Sequence, residues 1–195
     1  MKHIRYLHQY DSMQCGITCL QMICEYYGKR YSLSFLEKLC TPTTEGISLL
    51  GLSKAANYLG FDTICTQIDI TNLSKYPLPC ILHWNQNHFV VLYKVRKGRI
   101  FYVADPGKGL VKYNLEEFGK HWVSTASQGE EKGIAMFLEP TLEFYSHKVD
   151  NEEEDGSPRS FQFLFGYIKQ YRKYFGQIVL GLLVGSLLQL ILPFL

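Results

Sequence analysis

Apolar residues recur at helical spacing through roughly the first third of the chain. This pattern predicts three helices, near residues 15–27, 34–40 and 48–59. Gly28 and Gly60 directly follow the first and third of these segments. Glycine commonly ends a helix because it adopts a left-handed backbone without strain. Ser34 with Glu37 three residues later matches a capping box, so Ser34 is expected to open the second helix.

Short apolar runs bounded by turn residues replace the helical pattern after Pro79. They predict strands at residues 80–84, 88–95, 99–104, 111–113 and 133–138. The dipeptide Lys97-Gly98 stands between two of these strands and favours a tight turn, so the two should form a hairpin. Helices followed by an antiparallel sheet indicate an α+β domain.

A clustered acidic segment marks the clearest boundary in the chain. Residues 150–158 read Asp-Asn-Glu-Glu-Glu-Asp-Gly-Ser-Pro, a composition typical of a solvated linker. It separates a domain at residues 1–149 from a tail. Residues 159–174 carry aromatic and aliphatic side chains followed by basic ones. They predict an amphipathic membrane-proximal helix, although a helix that docks on the domain would have the same pattern.

The last 21 residues, 175–195, contain no charged side chain. As a helix this run would be about 30 Å long, which matches the hydrocarbon core of a bilayer. Lys169, Arg172 and Lys173 precede it, so the N-terminal side is expected to face the cytoplasm. The run predicts the start of a first transmembrane helix in a longer polypeptide. A buried helix or an apolar hairpin is the alternative.

Charge and cysteine content narrow the functional classes. The 195 residues include 20 Lys and Arg against 18 Asp and Glu, which excludes the basic surface that nucleic-acid binding requires. Six cysteines could suggest disulfides, but no secretory signal is recognisable at the N-terminus. Their spacing also lacks a zinc-binding pattern, so no metal site is predicted. Most of these cysteines are expected to be small apolar core residues.

Cys15 has a different setting from the other cysteines. It follows the polar segment 9–14 and begins the first predicted helix. The unpaired N–H groups and the dipole at a helix start favour a thiolate over a thiol. Cysteines at such positions are more often packing residues, so a nucleophile requires a base as additional evidence.

His88 is the best candidate for that base. It opens the strand at 88–95, where it can exchange protons while being held firmly. Asp105 follows the next strand, and pairing of the two strands would bring positions 88 and 105 together. A carboxylate there would orient the imidazole and stabilise its charged form. His83 and His121 are alternatives, but neither lies at such a strand end beside an acidic residue.

Three further positions near Cys15 are candidates for the site. An oxyanion would need hydrogen-bond donors, and the Cys15 backbone N–H and the Gln9 side-chain amide are candidates. Gln9 is equally consistent with an ordinary surface residue. Gly16 could allow a substrate backbone to approach closely because it lacks a side chain, and Asp11 is a further possible substrate-binding residue.

Taken together, three motifs resemble a known family. They are Gln-x5-Cys-Gly from Gln9, Asn-His-Phe-Val-Val-Leu at 87–92 and Ala-Asp-Pro at 104–106. In order and spacing they are similar to the papain-like cysteine peptidase domain at the front of bacterial peptidase-containing ABC transporters, which export bacteriocins and quorum peptides. The resemblance covers residues 1 to about 140. One departure is Gln14, since the family commonly has Asp directly before the nucleophile.

The resemblance implies specific roles and partners. Cys15, His88 and Asp105 would be nucleophile, base and orienting acid, and Gln9 would serve the oxyanion hole. The substrates would be peptides with a leader ending in a double glycine, cut just after it during export. An apolar groove for the leader is also implied. The chain would lie at the bacterial cell (inner) membrane with its peptidase domain in the cytoplasm, as part of a homodimeric transporter. No cofactor is expected, and ATP would matter only if a nucleotide-binding domain follows Leu195.

Two other functions remain open at this stage. One is a catalytically inactive peptidase-like domain that only docks the transport substrate. Such domains typically lack the nucleophile, and Cys15, His88 and Asp105 are all present here. The other is a different papain-like activity, such as amide or acyl transfer, in which another acceptor replaces water.

Overall fold

A computed structural model describes residues 3–40, 46–127 and 130–146, together with the isolated positions 177, 182 and 186. The chain divides into two compact units, Met1–Asp150 and Asn151–Leu195. The linker at 150–158 and the helix at 159–174 lie outside the described residues, as does nearly all of the apolar run at 175–195. Within the described part of the chain, no helix has the length and apolar content needed to cross a membrane. The transmembrane helix therefore stays a prediction.

The first unit contains six α-helices and seven strands among its described residues. The helices are α1 (Cys15–Tyr26), α2 (Leu33–Leu39), α3 (Leu49–Tyr58), α4 (Ile70–Leu73), α5 (Leu115–Trp122) and α6 (Leu142–Ser146). The strands are β1 (Phe61–Asp69), β2 (Cys80–Trp84), β3 (His88–Arg96), β4 (Ile100–Asp105), β5 (Gly109–Asn114), β6 (Val123–Ser127) and β7 (Glu130–Pro140). A short 3-10 turn, Ser12–Gln14, leads directly into α1. This order confirms an α+β fold with helices first.

The helix ends follow local sequence signals, with one correction. Gly28 and Gly60 have φ angles of +98° and +90°, as expected for glycines that end α1 and α3. The predicted cap of α2 at Ser34 is wrong, because the N-cap is Ser32, two residues earlier, and the helix begins at Leu33. Ser32 Oγ accepts a hydrogen bond of 3.2 Å from the Phe35 backbone N–H. The earlier start lets Leu33 pack against the same core as the fully buried Leu36, one turn later.

The strands form one antiparallel sheet in the order β1-β7-β2-β3-β4-β5. β6 lies off this path and pairs with residues 130–133 of β7. The β3–β4 hairpin turns at Lys97 and Gly98, which have φ angles of +53° and +63°. The expectation that strands begin only after Pro79 is wrong, since β1 precedes it. β1 lies at the sheet edge and has an irregular burial pattern, so its sequence lacks a clear alternation.

Two apolar layers, one on each face of the sheet, hold the functional elements in place. On one face, α1–α3 pack against side chains from β2, β3 and β7 such as Ile81, Val91 and Met136. On the other face, α5 packs through Phe118 and Trp122, and the rings of Phe101 and Phe118 stack at 4.1 Å. Each fully buried side chain of this size contributes roughly 1.5–3 kcal/mol. The start of α1 is therefore fixed against the strand that begins at His88.

Candidate active site

Cys15 is the first residue of α1, and it directly follows the 3-10 turn, whose N-terminus is capped by a side chain. Asp11 precedes the 3-10 turn, and its Oδ1 accepts a hydrogen bond of 3.2 Å from the Met13 backbone N–H. The Gln14 side chain accepts in return from the Asp11 backbone N–H, which completes a capping box. Cys15 is buried, with 7% of its surface exposed. Its sulfur can therefore be reached only along a restricted path.

His88 and Asp105 lie together at the end of the β3–β4 hairpin. His88 opens β3 and Asp105 ends β4, and the His88 Nε2 atom lies 2.8 Å from Asp105 Oδ1. The same Oδ1 accepts a hydrogen bond of 2.9 Å from the Gly107 backbone N–H. Asp105 is one of the two buried polar or charged residues among the described positions, with 1% exposed surface. Two donors thus hold this carboxylate in a single orientation.

The protonation of this pair follows from its surroundings. Burial acts to raise the pKa of Asp105, but hydrogen bonds from His88 and Gly107 outweigh it and hold the pKa below its usual value. Burial acts to lower the pKa of His88, yet hydrogen bonds with Asp105 and Cys15 raise that pKa to about 9. His88 is therefore an imidazolium near neutral pH. Because Nε2 faces Asp105, the other ring nitrogen, Nδ1, is the atom available to exchange a proton with the Cys15 sulfur.

Gln9 is fixed beside the same carboxylate. Its backbone N–H donates to the Pro106 carbonyl at 3.1 Å, and the Tyr6 hydroxyl donates to that carbonyl at 3.1 Å as well. A Cβ atom placed on Gly107 would lie 3.7 Å from Gln9 Nε2 and 3.5 Å from Asp105 Oδ1. The Gln9 side chain therefore lies next to the Asp105 turn. Its Oε1 is buried without a hydrogen-bond partner among the described residues.

A cleft of about 440 Å³ opens at Cys15. Its walls come from the loop before α1, from the segment 46–49 and from the β2–β3 turn. In that turn Asn85 and Gln86 have φ angles of +49° and +64°, which reverses the chain tightly and brings His83 and Phe89 to the cleft. Cys15 is one of the residues that line this cleft.

Gly16 and Asp11, the two possible substrate-binding residues, lie outside the lining of this cleft. A Cβ atom on Gly16 would lie 3.3 Å from Phe89 Cδ2, so this glycine serves the close packing of α1 on β3. Asp11 instead caps the turn before Cys15. Both residues thus help to position the nucleophile, and their contact with a substrate stays a prediction.

The two alternative histidines have other surroundings. His83 lines the cleft, its ring centroid lies 5.4 Å from that of Phe89, and burial lowers its pKa. His121 Nδ1 lies 2.8 Å from Asn85 Oδ1, and its ring stacks on Trp84 at 5.3 Å. No ion pair with a carboxylate is recorded for either ring in the described part of the chain.

Sequence reasoning missed several features of the site. No sequence motif marks residues 46–49 or His83 as walls of the cleft. They lie near the Cys15 sulfur only because of how α3 and β2 pack in the folded domain. The Gly107 N–H could have been expected, since an Asp side chain often accepts from the backbone two residues later. Metal binding has no support in the described residues, where no three His, Cys, Asp or Glu side chains form a suitable group.

Comparisons with known proteins identify the family of this chain. Residues 3–128 match the profile of the Peptidase C39 family. The chain is 31% identical over 148 residues to the colicin V secretion/processing ATP-binding protein CvaB of Escherichia coli, covering 76% of this chain and 20% of that protein. It is 31% identical over 193 residues to the lactococcin-G-processing and transport ATP-binding protein LagD of Lactococcus lactis, covering 96% of this chain and 26% of that protein.

Two solved structures share the fold. One is a double glycine motif protease from an AMS/PCAT transporter in complex with the leader peptide, with 32% identity and a TM-score of 0.63 over 72% of this chain and 94% of that one. The other is the peptidase domain of Streptococcus ComA, with 26% identity and a TM-score of 0.59 over 71% of this chain and 100% of that one. The chain spans only about a fifth to a quarter of the length of its two curated relatives. The match over residues 3–128 shows that this chain belongs to the Peptidase C39 family, a family of cysteine peptidases.

Proposed function

We propose that residues 1–149 form a cysteine endopeptidase domain that removes double-glycine leaders from bacteriocin-like or signalling peptides. The observation that carries this proposal is the contact of 2.8 Å between His88 and Asp105, with Cys15 at the first residue of α1 lining the cleft. Two relatives named for processing and secretion or transport of such peptides support the substrate class. So does the solved relative that was captured with a leader peptide.

In the proposed reaction, the Cys15 sulfur attacks the carbonyl carbon of the second glycine of the leader. The imidazolium of His88 is the counterion of the thiolate, and Asp105 keeps the ring oriented. The Gln9 amide and the Cys15 backbone N–H both donate to the oxyanion of the tetrahedral intermediate. His88 then passes its proton to the leaving amine, which becomes the N-terminus of the cargo, and the leader stays bound as a thioester.

The second half of the reaction restores the enzyme. His88, now neutral, takes a proton from a water molecule as that water attacks the thioester carbonyl. The leader leaves as a carboxylic acid, which loses its proton to solvent water, and the sulfur returns to its thiolate form beside the imidazolium. His88 and solvent water handle all the protons, so the chemistry requires no metal or organic cofactor.

Selectivity for two glycines fits the recessed position of the sulfur. Cys15 is only 7% exposed, so a scissile bond must approach it closely along the cleft. Residues without a Cβ atom can do this, whereas larger side chains would clash with the walls. The rest of the leader would bind elsewhere on the domain, in the apolar groove that the resemblance implies.

The setting of this activity is part of the same proposal. The chain would be the front of a homodimeric exporter at the bacterial cell membrane, with the peptidase domain on the cytoplasmic side. ATP would matter only if a nucleotide-binding domain follows Leu195. Export would thus be coupled to removal of the leader.

The experiment uses residues 1–150, which form a compact unit with their own core. This fragment is incubated under reducing conditions with a synthetic peptide made of a leader ending in Gly-Gly and a short cargo. Mass spectrometry should find one cut after the second glycine, and Cys15→Ala should bind the leader without cutting it. Binding without any cut by the wild-type fragment would instead indicate a docking domain. A product carrying the mass of an acceptor other than water would indicate a transferase.

A further inference from the structure

Gln14, directly before the nucleophile, joins two parts of the structure through its side chain. Its Nε2 atom donates a hydrogen bond of 2.8 Å to Glu37 Oε1 on α2. Its Oε1 atom accepts from the backbone N–H groups of Tyr10 and Asp11, both at 3.3 Å. A single amide group therefore links the loop before Cys15 to a neighbouring helix.

This loop has little apolar packing of its own to hold it. The Tyr10 side chain is 89% exposed and that of Met13 is 48% exposed. Gln9, the proposed oxyanion donor, precedes Tyr10 and is bonded through its backbone to the Pro106 carbonyl. Segment 9–11 is thus held by hydrogen bonds on two sides, from Pro106 and from Gln14.

We propose that Gln14 is a positioning residue for the peptidase reaction, which ties the loop carrying Gln9 to α2 and so holds the Gln9 amide at the site. This inference rests on the proposed function. Gln14 itself does not touch the reacting atoms and acts through Gln9.

The pairing with Glu37 explains why an amide suits this position. A carboxylate at position 14 could accept from the Tyr10 and Asp11 N–H groups, but it would have no proton for Glu37. It would instead place a second negative charge next to the Glu37 carboxylate, which is unfavourable at hydrogen-bond distance. The side chain at position 14 must therefore accept on one side and donate on the other.

The first test changes Gln14 to Glu and then, in a double variant, also changes Glu37 to Gln, so that the amide and the carboxylate exchange places. In residues 1–150, Gln14→Glu keeps the length of the side chain and its acceptor but puts two carboxylates face to face. It should lower kcat by about tenfold and change KM by less than about twofold, because a misplaced oxyanion donor weakens transition-state binding. Adding Glu37→Gln restores a donor on the α2 side and should recover most of kcat. Gln67→Glu, the same change at an exposed position of β1, is the matched control and should behave as wild type.

Dependence on Gln9 separates positioning from general destabilisation. In a Gln9→Ala background, Gln14→Glu should change kcat by less than about twofold, because the group it positions is gone. If Gln14→Glu lowers kcat equally in both backgrounds, or if wild-type kcat persists in the single variant, the proposal is wrong. A failure of Glu37→Gln to recover activity in the double variant would also contradict it.

Amide hydrogen exchange keeps this inference separate from the proposed function. The Tyr10 and Asp11 amides should be protected in the wild-type fragment and exchange at least about tenfold faster in Gln14→Ala. A wild-type fragment that cuts no leader would overturn the proposed function, and the exchange rates would still decide whether Gln14 holds the loop. Unchanged exchange at both amides in Gln14→Ala would overturn the inference.

Discussion

The His88 imidazole and the Asp105 carboxylate lie 2.8 Å apart although 17 positions separate them in the chain. The hairpin explains this proximity, because β3 and β4 pair from Arg96 and Ile100 at the turn to Val91 and Ala104 near the far end. A register shift between Leu92 and Lys94 adjusts the pairing along the way. The two side chains at the open end then meet next to the start of α1.

We expect peptidase activity to fall as the pH rises through about 9, because the pKa of His88 is raised to about 9 and its loss of a proton removes the imidazolium. Asp105→Asn removes the negative charge that favours this proton. The alkaline limb of the activity profile should therefore move to lower pH, and kcat should fall. Rates of leader cleavage measured from pH 5.5 to about 10 test this expectation.

The same pKa shifts predict the pH dependence of stability. A folded-state pKa of His88 above the unfolded value of 6.5 contributes stability that is complete below pH 6.5 and lost as the pH rises through about 9. The lowered pKa of Asp105 contributes stability above its ordinary value of 3.8, which is lost at more acid pH. Denaturant unfolding should show a decline of at most about 3 kcal/mol from pH 6.5 to 9 in wild type. A flat curve, or an equal decline in His88→Gln, would contradict this assignment.

Iodoacetamide should modify Cys15 before the other thiols, because the proposed reaction makes it the nucleophile and it lines an open cleft. Cys65 is the competitor to control, because it is the exposed cysteine of the six. Burial raises the pKa of the Cys65 thiol, so it should react more slowly despite its exposure. Burial also raises the pKa of the four remaining thiols, those of Cys19, Cys24, Cys40 and Cys80.

Cys65→Ser and His88→Ala are the matched variants for this labelling experiment. Peptide mapping after short exposure should find the label on Cys15 in wild type and in Cys65→Ser. Labelling of Cys15 should slow strongly in His88→Ala, because the imidazolium is missing. Labelling of Cys65 ahead of Cys15 in wild type would argue against a catalytic thiolate.

Gln9→Ala should lower kcat by about 10²–10³-fold while leaving KM nearly unchanged, as expected for loss of one oxyanion donor. Gln9→Glu keeps the shape but places an acceptor where a donor is needed, so it should be at least as harmful. Steady-state kinetics with the leader peptide measure both effects. A change in KM alone would mean that Gln9 binds the leader and does not stabilise the oxyanion.

Local sequence signals were sufficient for some elements and not for others. The helix that begins at Cys15 and the strand 80–84 were predicted at their observed positions, because a helical apolar face and a short apolar run are strong local patterns. The segment β1 was missed because it lies at a sheet edge and is stabilised by its pairing with β7, from Phe61 with Pro140 to Asp69 with Lys132. Such pairing depends on residues about 70 positions away and leaves no local periodicity.

In the site, too, some residues could be predicted from local sequence, whereas contacts that depend on tertiary packing could not. Cys15, His88 and Asp105 could be singled out because each lies at the end of a predictable element. The tie between Gln14 and Glu37 could not, since it depends on how α2 packs beside the loop before α1. The cleft walls at 46–49 and at the β2–β3 turn likewise result from the three-dimensional arrangement.

Gly133→Ala should destabilise the domain strongly, because a Cβ atom there would lie 2.4 Å from Trp122 Cε2 and 2.7 Å from the Trp122 carbonyl oxygen. Trp122 cannot move away easily, since it is 1% exposed and its Nε1 atom donates to the Ile134 carbonyl at 3.0 Å. Overpacking of this kind costs roughly 1–3 kcal/mol or more. Gly119→Ala in α5 is the control, because its Cβ atom would meet Ile70 at an ordinary 3.6 Å.

Denaturant unfolding of residues 1–150 measures both glycine variants. Gly119→Ala should be neutral or stabilise by up to about 1 kcal/mol, since alanine favours a helix interior over glycine. Equal stability of the two variants would mean that Trp122 does not pack on Gly133 as described, and would put the arrangement of α5 on the sheet in question.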